Sequence, residues 1–356
     1  MQKLFEETYS GKRVFLTGHT GFKGSWLAFI LNHFGAKVKG YSLAPDKNQS
    51  LFELIRVSSY TDSVIGDVKD AAKLEKEILD FKPHFIFHLA AQSLVIKSYE
   101  EPVNTFETNV MGTVNLLDAL RKYEDPCQVV IVTTDKVYKN LEQYYSYQED
   151  DKLGGIDPYS SSKAATEIAT ASYRQSFFNP AKYDLHQKSI ASARSGNVIG
   201  GGDWSSNRII PDLIRAIDNN VTLEIRNPNS IRPWQHLLDP LAGYLTLGAK
   251  MFSDPVNYAQ AYNFGPKDNI NLTVEQLVMM SQAIMGSGDF IYSDALSEKH
   301  EAALLHLNIS KAQNDLNWQP KLTATKAIEL TMEWYKNYSS DPITITFKQI
   351  VDYFNL

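Results

Sequence analysis

The chain has 356 residues, enough for one large core with a smaller one beside it. Hydrophobic residues make up 43% and charged residues 21%, the proportions of a folded globular protein rather than a disordered one. A formal charge of −6 speaks against nucleic acid or a membrane surface as partner, since the sequence-independent part of such binding needs a basic face.

Acidic residues occupy the start, MQKLFEETYSGKR, where a signal peptide needs an apolar stretch, and no apolar run approaches the ~20 residues of a membrane span. A cytoplasmic protein is expected. Residues 13–17 read as a buried strand, followed by glycines and a helix from Ser25 to Phe34 that Gly35 closes. Strands follow at 37–41, 64–66, 84–89 and 129–133, with helices at 70–80, 104–122 and 159–177 between and after them. The single cysteine, Cys127, beside the apolar run 129–133, reads as buried filler and excludes an intrachain disulfide. Repeated βα units with continuously apolar strands predict an α/β fold with a doubly wound parallel sheet. From about residue 196 the pattern changes to a glycine-rich loop, a helix at 208–218, an Arg- and Pro-bearing segment at 225–236, a helix at 238–252, a strand at 261–264 and helices at 273–285 and 324–337. The reading divides the chain into residues 1–195, with 236–265 returning to that unit, and a smaller unit mainly within 196–356, with a cleft between them.

The first strand runs into Gly18-His19-Thr20-Gly21-Phe22-Lys23-Gly24 at the opening of a helix. Glycines at this spacing allow a tight turn, bare backbone for a pyrophosphate and close packing of helix on strand. Helix N-terminal amides then hold the phosphates. Cofactor contacts are therefore expected from Gly18, Thr20, Gly21, Phe22, Lys23 and Gly24; Asp67, beside Val68 after a short strand, reads either as a contact to the adenine amine or as a surface-turn aspartate. An acid about 20 positions on would bind the adenosine ribose, but strand two ends in Gly40-Tyr41-Ser42 and the nearest acid is Asp46. Lys39 and Lys47 lie near enough to be weighed for a 2′-phosphate, so the motif leaves NAD and NADP both open.

Tyr159 and Lys163 stand four apart at the start of a helix and share a face. A tyrosine with a reference pKa of about 10 works as a base only if a neighbouring cation stabilises its phenolate, which Lys163 supplies. With TGHTGFKGSWL (17–27), HLAAQSLV (88–95), TNVMGTVNLL (108–117), TTDKVY (133–138), DPYSSSK (157–163), GNVIGGGDW (196–204) and RPWQH (232–236) in this order, the chain resembles the extended short-chain dehydrogenases/reductases over nearly its whole length. Within them it is similar to the CDP-glucose 4,6-dehydratases. That resemblance implies a Rossmann-type NAD-binding domain with a C-terminal substrate domain, bound NAD, and conversion of CDP-glucose to CDP-4-keto-6-deoxyglucose for deoxysugar and surface-polysaccharide (O-antigen) synthesis. It also implies a homodimer built on helices 104–122 and 159–177.

By the same resemblance Leu89, Ala90, Ala91 and Asn109 line the cofactor site, and Thr134 polarises the sugar 4-hydroxyl beside Tyr159. Asn109 also reads as a polar residue on a helix face. Asp135 is the expected acid that protonates the leaving 6-hydroxyl, and Lys136, where related dehydratases carry Glu, the expected base at C5; the neighbouring pair also reads as a loop salt bridge. On the substrate side Arg208, Arg226 and Arg232 are placed at the diphosphate, which a guanidinium matches bidentately. Asn197 and His236 complete that set; for His236 a helix-capping role stands beside the binding one. His300-Glu301 reads either as a substrate motif or as an exposed pair. No metal is expected, because the eight histidines show no ligand spacing. Two other readings keep the Tyr–Lys pair or the fold: a nucleotide-sugar 4-epimerase or reductase, which has no need of an acid at Asp135, and a dinucleotide sensor, which has no need of the pair.

Overall fold

The computed structural model describes residues 1–46, 49–267, 272–293 and 305–356. Seven strands form its central sheet: β1 (Arg13–Thr17), β2 (Lys37–Ser42), β3 (Asp62–Ile65), β4 (Phe85–His88), β5 (Cys127–Thr134), β6 (Lys188–Ser195) and β7 (Ala261–Phe264). They lie in the order β7-β6-β5-β4-β1-β2-β3, and every neighbouring pair is parallel. This is the expected doubly wound α/β arrangement. The chain winds outward from β1 to β3 and then restarts at β4 on the other side of β1. A crevice must open at the carboxyl ends of β1 and β4, where the winding reverses.

Alternation along each strand sends its side chains into two separate cores. Val14, Leu16, Phe85, Phe87, Val130 and Val132 join the larger core, which continues into the C-terminal half of the chain. Phe15, Ile86, Val129 and Ile131 fill the smaller core on the opposite face, together with Cys127, whose thiol burial pushes up to about 12.

Several elements differ from the sequence reading. The first glycine-loop helix is Phe22–His33, three residues earlier than expected, because the loop itself folds into the first helical turn. The single helix expected over 104–122 is a broken rod: Pro102–Phe106, a π-turn Glu107–Met111 and Gly112–Ala119, preceded by a short helix Val95–Glu100. Gly112 lets the rod approach the chain after β3; a Cβ there would stand 2.6 Å from Val68 Cγ2. Strand β6 is absent from the sequence reading. So are the helices Gln2–Tyr9 and Pro342–Asn355, the second capped by Asp341 and started by proline. Beyond β6, short parallel ladders pair Val198–Ile199 with Gln235–His236 and Leu223–Ile225 with Phe290–Tyr292.

Candidate active site

A cavity of about 1110 Å³ follows the carboxyl ends of the strands. It is larger than the ~300–1,000 Å³ typical of a single small-molecule site. The glycine loop forms one end. Gly18 has φ +77°, and a Cβ there would lie 2.8 Å from the Ala90 nitrogen; one on Gly24 would lie 2.0 Å from the Gly18 carbonyl oxygen. Gly21 meets only that same oxygen, at 3.4 Å, so its open side faces the cavity. Thr20, Phe22 and Lys23 line the same end. Lys23 donates to the Ser195 hydroxyl at 3.1 Å, and burial pushes its amine down to about 8.

Asp67 and Val68 line the wall beyond the loop, with Ser42 and Leu43. Asp67 Oδ1 accepts from the Lys69 amide at 2.9 Å, which orders the turn. Where an acid would follow strand β2, Tyr41 instead turns inward and donates to the Asp67 carbonyl at 3.0 Å. Lys39 is bound to Glu77 at 2.8 Å and Asp62 at 3.2 Å; Lys47 lies outside the described residues. His19, which the motif alone does not single out, is fully buried over Gly40, with Nε2 2.6 Å from the Ser63 hydroxyl, and burial pushes its imidazole down to about 4.

The turn after β4 forms the cavity's middle wall with Leu89, Ala90 and Ala91. It is fixed from below: Thr17 Oγ1 accepts from the amides of Leu89 and Ala90 at 3.1 Å and meets His88 Nδ1 at 2.8 Å. Asn109 does not line the cavity, contrary to expectation. Its Oδ1 accepts from the Gln92 amide (2.8 Å), and its Nδ2 donates to the Gln92 carbonyl (3.0 Å) and the Ser162 hydroxyl (2.8 Å). These three bonds tie the wall to the helix behind it.

That helix, Pro158–Ser176, starts at Asp157, whose carboxylate accepts from the Ser160 amide at 2.9 Å. Its first turns put Tyr159 and Lys163 on the cavity wall with Thr134. Burial pushes the Tyr159 phenol up to about 12, with a hydrogen bond to Thr134 acting the other way. Burial brings Lys163 down to about 8, opposed by Glu167, and its Nζ donates to the Val132 carbonyl at 3.1 Å. Lys136 stands on the wall, whereas the Asp135 carboxyl lies just behind it, 3% exposed. Thr134 donates to Asp135 Oδ1 at 2.9 Å, and Oδ2 would stand 3.0 Å from a Cβ on Gly196, a wall residue. The missing side chain at 196 leaves the carboxyl next to the cavity. Burial raises the Asp135 carboxyl above its ordinary range despite Lys136 and the Thr134 bond.

Asn197, Arg208, Arg226 and Arg232 border the other end. Arg208 bridges Asp203 (2.7 Å) and Ser93 (3.2 Å), joining the glycine-rich loop at 200–202 to the turn after β4. Arg226 is exposed and 3.5 Å from Asn207 Oδ1; Arg232 is buried and donates to the Ile231 carbonyl at 3.1 Å. Gly200 and Gly201 are packing positions, since a Cβ would fall within 2 Å of Leu237 and Trp334 respectively. His236 does not line the cavity as a binding residue and takes the capping position instead: it is fully buried, edge-on to Trp26, with Nδ1 accepting from the Leu238 amide that opens the next helix. Burial pushes its ring down to about 3, so it is a neutral core residue. His300-Glu301 lies outside the described residues. Among the described residues no cluster of His, Cys, Asp and Glu could hold a metal, and no helix is long and apolar enough to cross a membrane.

Known proteins resemble this chain in sequence and in fold. The CDP-glucose 4,6-dehydratase of Salmonella typhimurium is 44% identical over 347 residues, 97% of each chain. Among solved structures, a dTDP-glucose 4,6-dehydratase from Bacillus anthracis in complex with NAD superposes with a TM-score of 0.75 at 22% identity, covering 92% of this chain and 97% of that one. A UDP-glucose 4-epimerase from Thermotoga maritima with UDP-glucose reaches 0.78 at 20% identity, covering 92% and 100%. Both share the fold. The family model for GDP-mannose 4,6 dehydratase matches residues 15–331, and the chain belongs to that family.

Proposed function

We propose that the chain is an NAD-dependent CDP-glucose 4,6-dehydratase, converting CDP-glucose to CDP-4-keto-6-deoxyglucose with loss of water. The observation that carries this reading is one wall holding Thr134, Tyr159 and Lys163 with the raised carboxyl of Asp135 directly behind it. Oxidation at C4 needs the first three; only a dehydratase also needs a protonated acid. The 44% identity to an enzyme of that name points the same way.

The residues present fit a dinucleotide, since the loop is stripped of side chains where Gly18, Gly21 and Gly24 stand. NAD fits better than NADP, because Lys39 is committed to Glu77 and Asp62. Held by that loop and by Lys163, NAD would supply the hydride chemistry between C4 and C6 of the sugar. Tyr159 receives the proton of the 4-hydroxyl, and Lys163 holds the phenolate form. The C4 ketone acidifies the C5 proton, which Lys136 removes, while Asp135 gives its proton to the departing 6-hydroxyl. Arg208 and Arg232 hold the diphosphate. The product feeds deoxysugar synthesis for surface polysaccharide in the cytoplasm.

The active form is a homodimer. Val103 is 69% and Ile168 60% exposed, with Met111 and Phe177 also exposed on the same two helical segments, an apolar surface that a second copy covers. Light scattering at micromolar concentration tests this, and a monomer mass rejects it. For the activity, the protein is incubated with CDP-, dTDP-, GDP- and UDP-glucose and the products weighed by mass spectrometry. Loss of one water from CDP-glucose is expected; an unchanged mass with an inverted C4 points to epimerisation instead.

A further inference from the structure

The catalytic helix carries a third ionisable group on the face of Tyr159 and Lys163. Glu167 lies one turn beyond Lys163 and is buried. Its carboxylate accepts from the hydroxyls of Thr133 (2.5 Å) and Ser192 (2.7 Å) and from Arg194 Nη2 (2.8 Å). Arg194, buried on β6, also donates to the Tyr138 hydroxyl at 2.8 Å, which in turn donates to Asn263 on β7 at 2.7 Å. Burial pushes Glu167 up, but Arg194 and the three donors outweigh it and hold the carboxyl below its ordinary range.

Such a pair is no general source of stability, because desolvating two charges offsets their attraction. Its position gives it another use. Consecutive residues of β5 receive the two helix groups: the Val132 carbonyl takes Lys163 and the Thr133 hydroxyl takes Glu167. Lys163 must stay an ammonium although it is buried. The titratable and charged groups coupled to it are Glu167 from its own helix, Lys23 from Phe22–His33 and His88 from β4, and Tyr159 stands one turn before it on the same helix. Burial keeps His88 neutral, down at about 3, and Lys23 is itself a cation. Glu167 is the carboxylate of this set.

We infer that Glu167 is a positioning residue of the Tyr159–Lys163 pair, its fixed negative charge keeping the Lys163 ammonium beside the phenol. The inference rests on the redox role proposed above for that pair. Its test is the pH profile of kcat/KM for dehydration by wild type, Glu167→Gln and the double variant Glu167→Gln/Arg194→Gln. The active state is phenolate with ammonium, so the alkaline limb reports loss of the Lys163 proton. Removing the neighbouring negative charge lowers the folded-state pKa of Lys163, and the limb moves to lower pH by about one unit. The double variant leaves no buried charge uncompensated, and the same shift is expected there should the single variant not fold. A lower melting temperature with an unmoved alkaline limb, in either folded variant, overturns the inference. An inactive wild type sinks the dehydratase reading itself; an active wild type with an unmoved limb sinks only the role of Glu167.

Discussion

A phenol pushed up to about 12 by burial is a poor base until something stabilises its anion. Thr134 acts in that direction by hydrogen bond and Arg208 by charge, and Lys163 stands one turn further along the same helix. Tyr159→Phe is therefore expected to bind NAD normally and lose at least nine-tenths of turnover, measured by cofactor titration and by initial rate; a variant above a tenth of the wild-type rate overturns the assignment. Lys136→Met isolates the next step. In D₂O the variant is expected to accumulate reduced cofactor without taking up deuterium at C5, and normal dehydration with normal deuterium uptake ends the claim for Lys136 as base. Tyr159 and Lys163 were legible from their helical spacing, whereas Thr134 and Lys136 were legible only through the resemblance of TTDKVY to the family motif. Asn109 and His236 were not, since both are residue types that bind ligands. What decides their roles is three-dimensional: the Gln92 backbone and Ser162 engage both ends of the Asn109 amide, and burial beside Trp26 neutralises His236. Glu167 carried no signal in the sequence, because its partners Thr133, Ser192 and Arg194 come from two other strands.

At the scale of elements, the apolar strands and the glycine loop were readable and the polar strand was not. Strand β6, KSIASARS, is buried at all eight positions, yet five of its residues are Ser, Lys or Arg. It stays buried because Ser192 and Arg194 are paired with Glu167 and the Lys188 amine lies over the Tyr123 ring, 5.2 Å from its centroid. The helix expected over 104–122 was found in the right place but broken, since a π-turn leaves no mark in a hydrophobic pattern. The glycine loop makes a prediction that separates binding from folding. In Gly24→Ala the new Cβ collides with the Gly18 carbonyl at 2.0 Å, a backbone atom that cannot swing aside, so stability falls by about 2 kcal/mol or more along with NAD affinity. In Gly21→Ala the nearest atom is at an ordinary 3.4 Å, so the melting temperature holds while the methyl group, facing the cavity, weakens NAD binding. Equal loss of stability in both variants, measured by urea unfolding, counts against this division.

At the scale of the whole molecule, the βαβ rhythm predicts the sheet and the crevice at its switch point, but not how the last segment of the chain closes on it. That closure centres on Asp239, fully buried in the first turn of the helix Leu238–Ser253. Its Oδ1 accepts from the Lys321 amide at 2.8 Å and the Tyr353 hydroxyl at 2.9 Å, and its Oδ2 from the Leu322 amide at 3.3 Å. A carboxyl on one helix thus fastens residues more than eighty positions later, including the C-terminal helix Pro342–Asn355. Burial raises its pKa to about 6 against the opposing effect of these donors. The folded state therefore binds the proton more tightly than the unfolded chain, whose carboxyl titrates near the ordinary value of about 3.9. The stability that this proton contributes is fully present below about pH 4, is lost as pH rises through about 6, and does not change above that. Other groups titrate over the same range, so the effect is read as a difference from Asp239→Asn, which has no proton to lose. Between pH 5 and pH 7 the wild type should lose about 1 kcal/mol relative to this variant in urea unfolding. The amide also keeps only one accepting oxygen for three donors, which lowers the variant's stability by an amount independent of pH. A gap between the two proteins that stays constant from pH 5 to pH 7 means that Asp239 is ionised throughout, held so by its three donors against the burial.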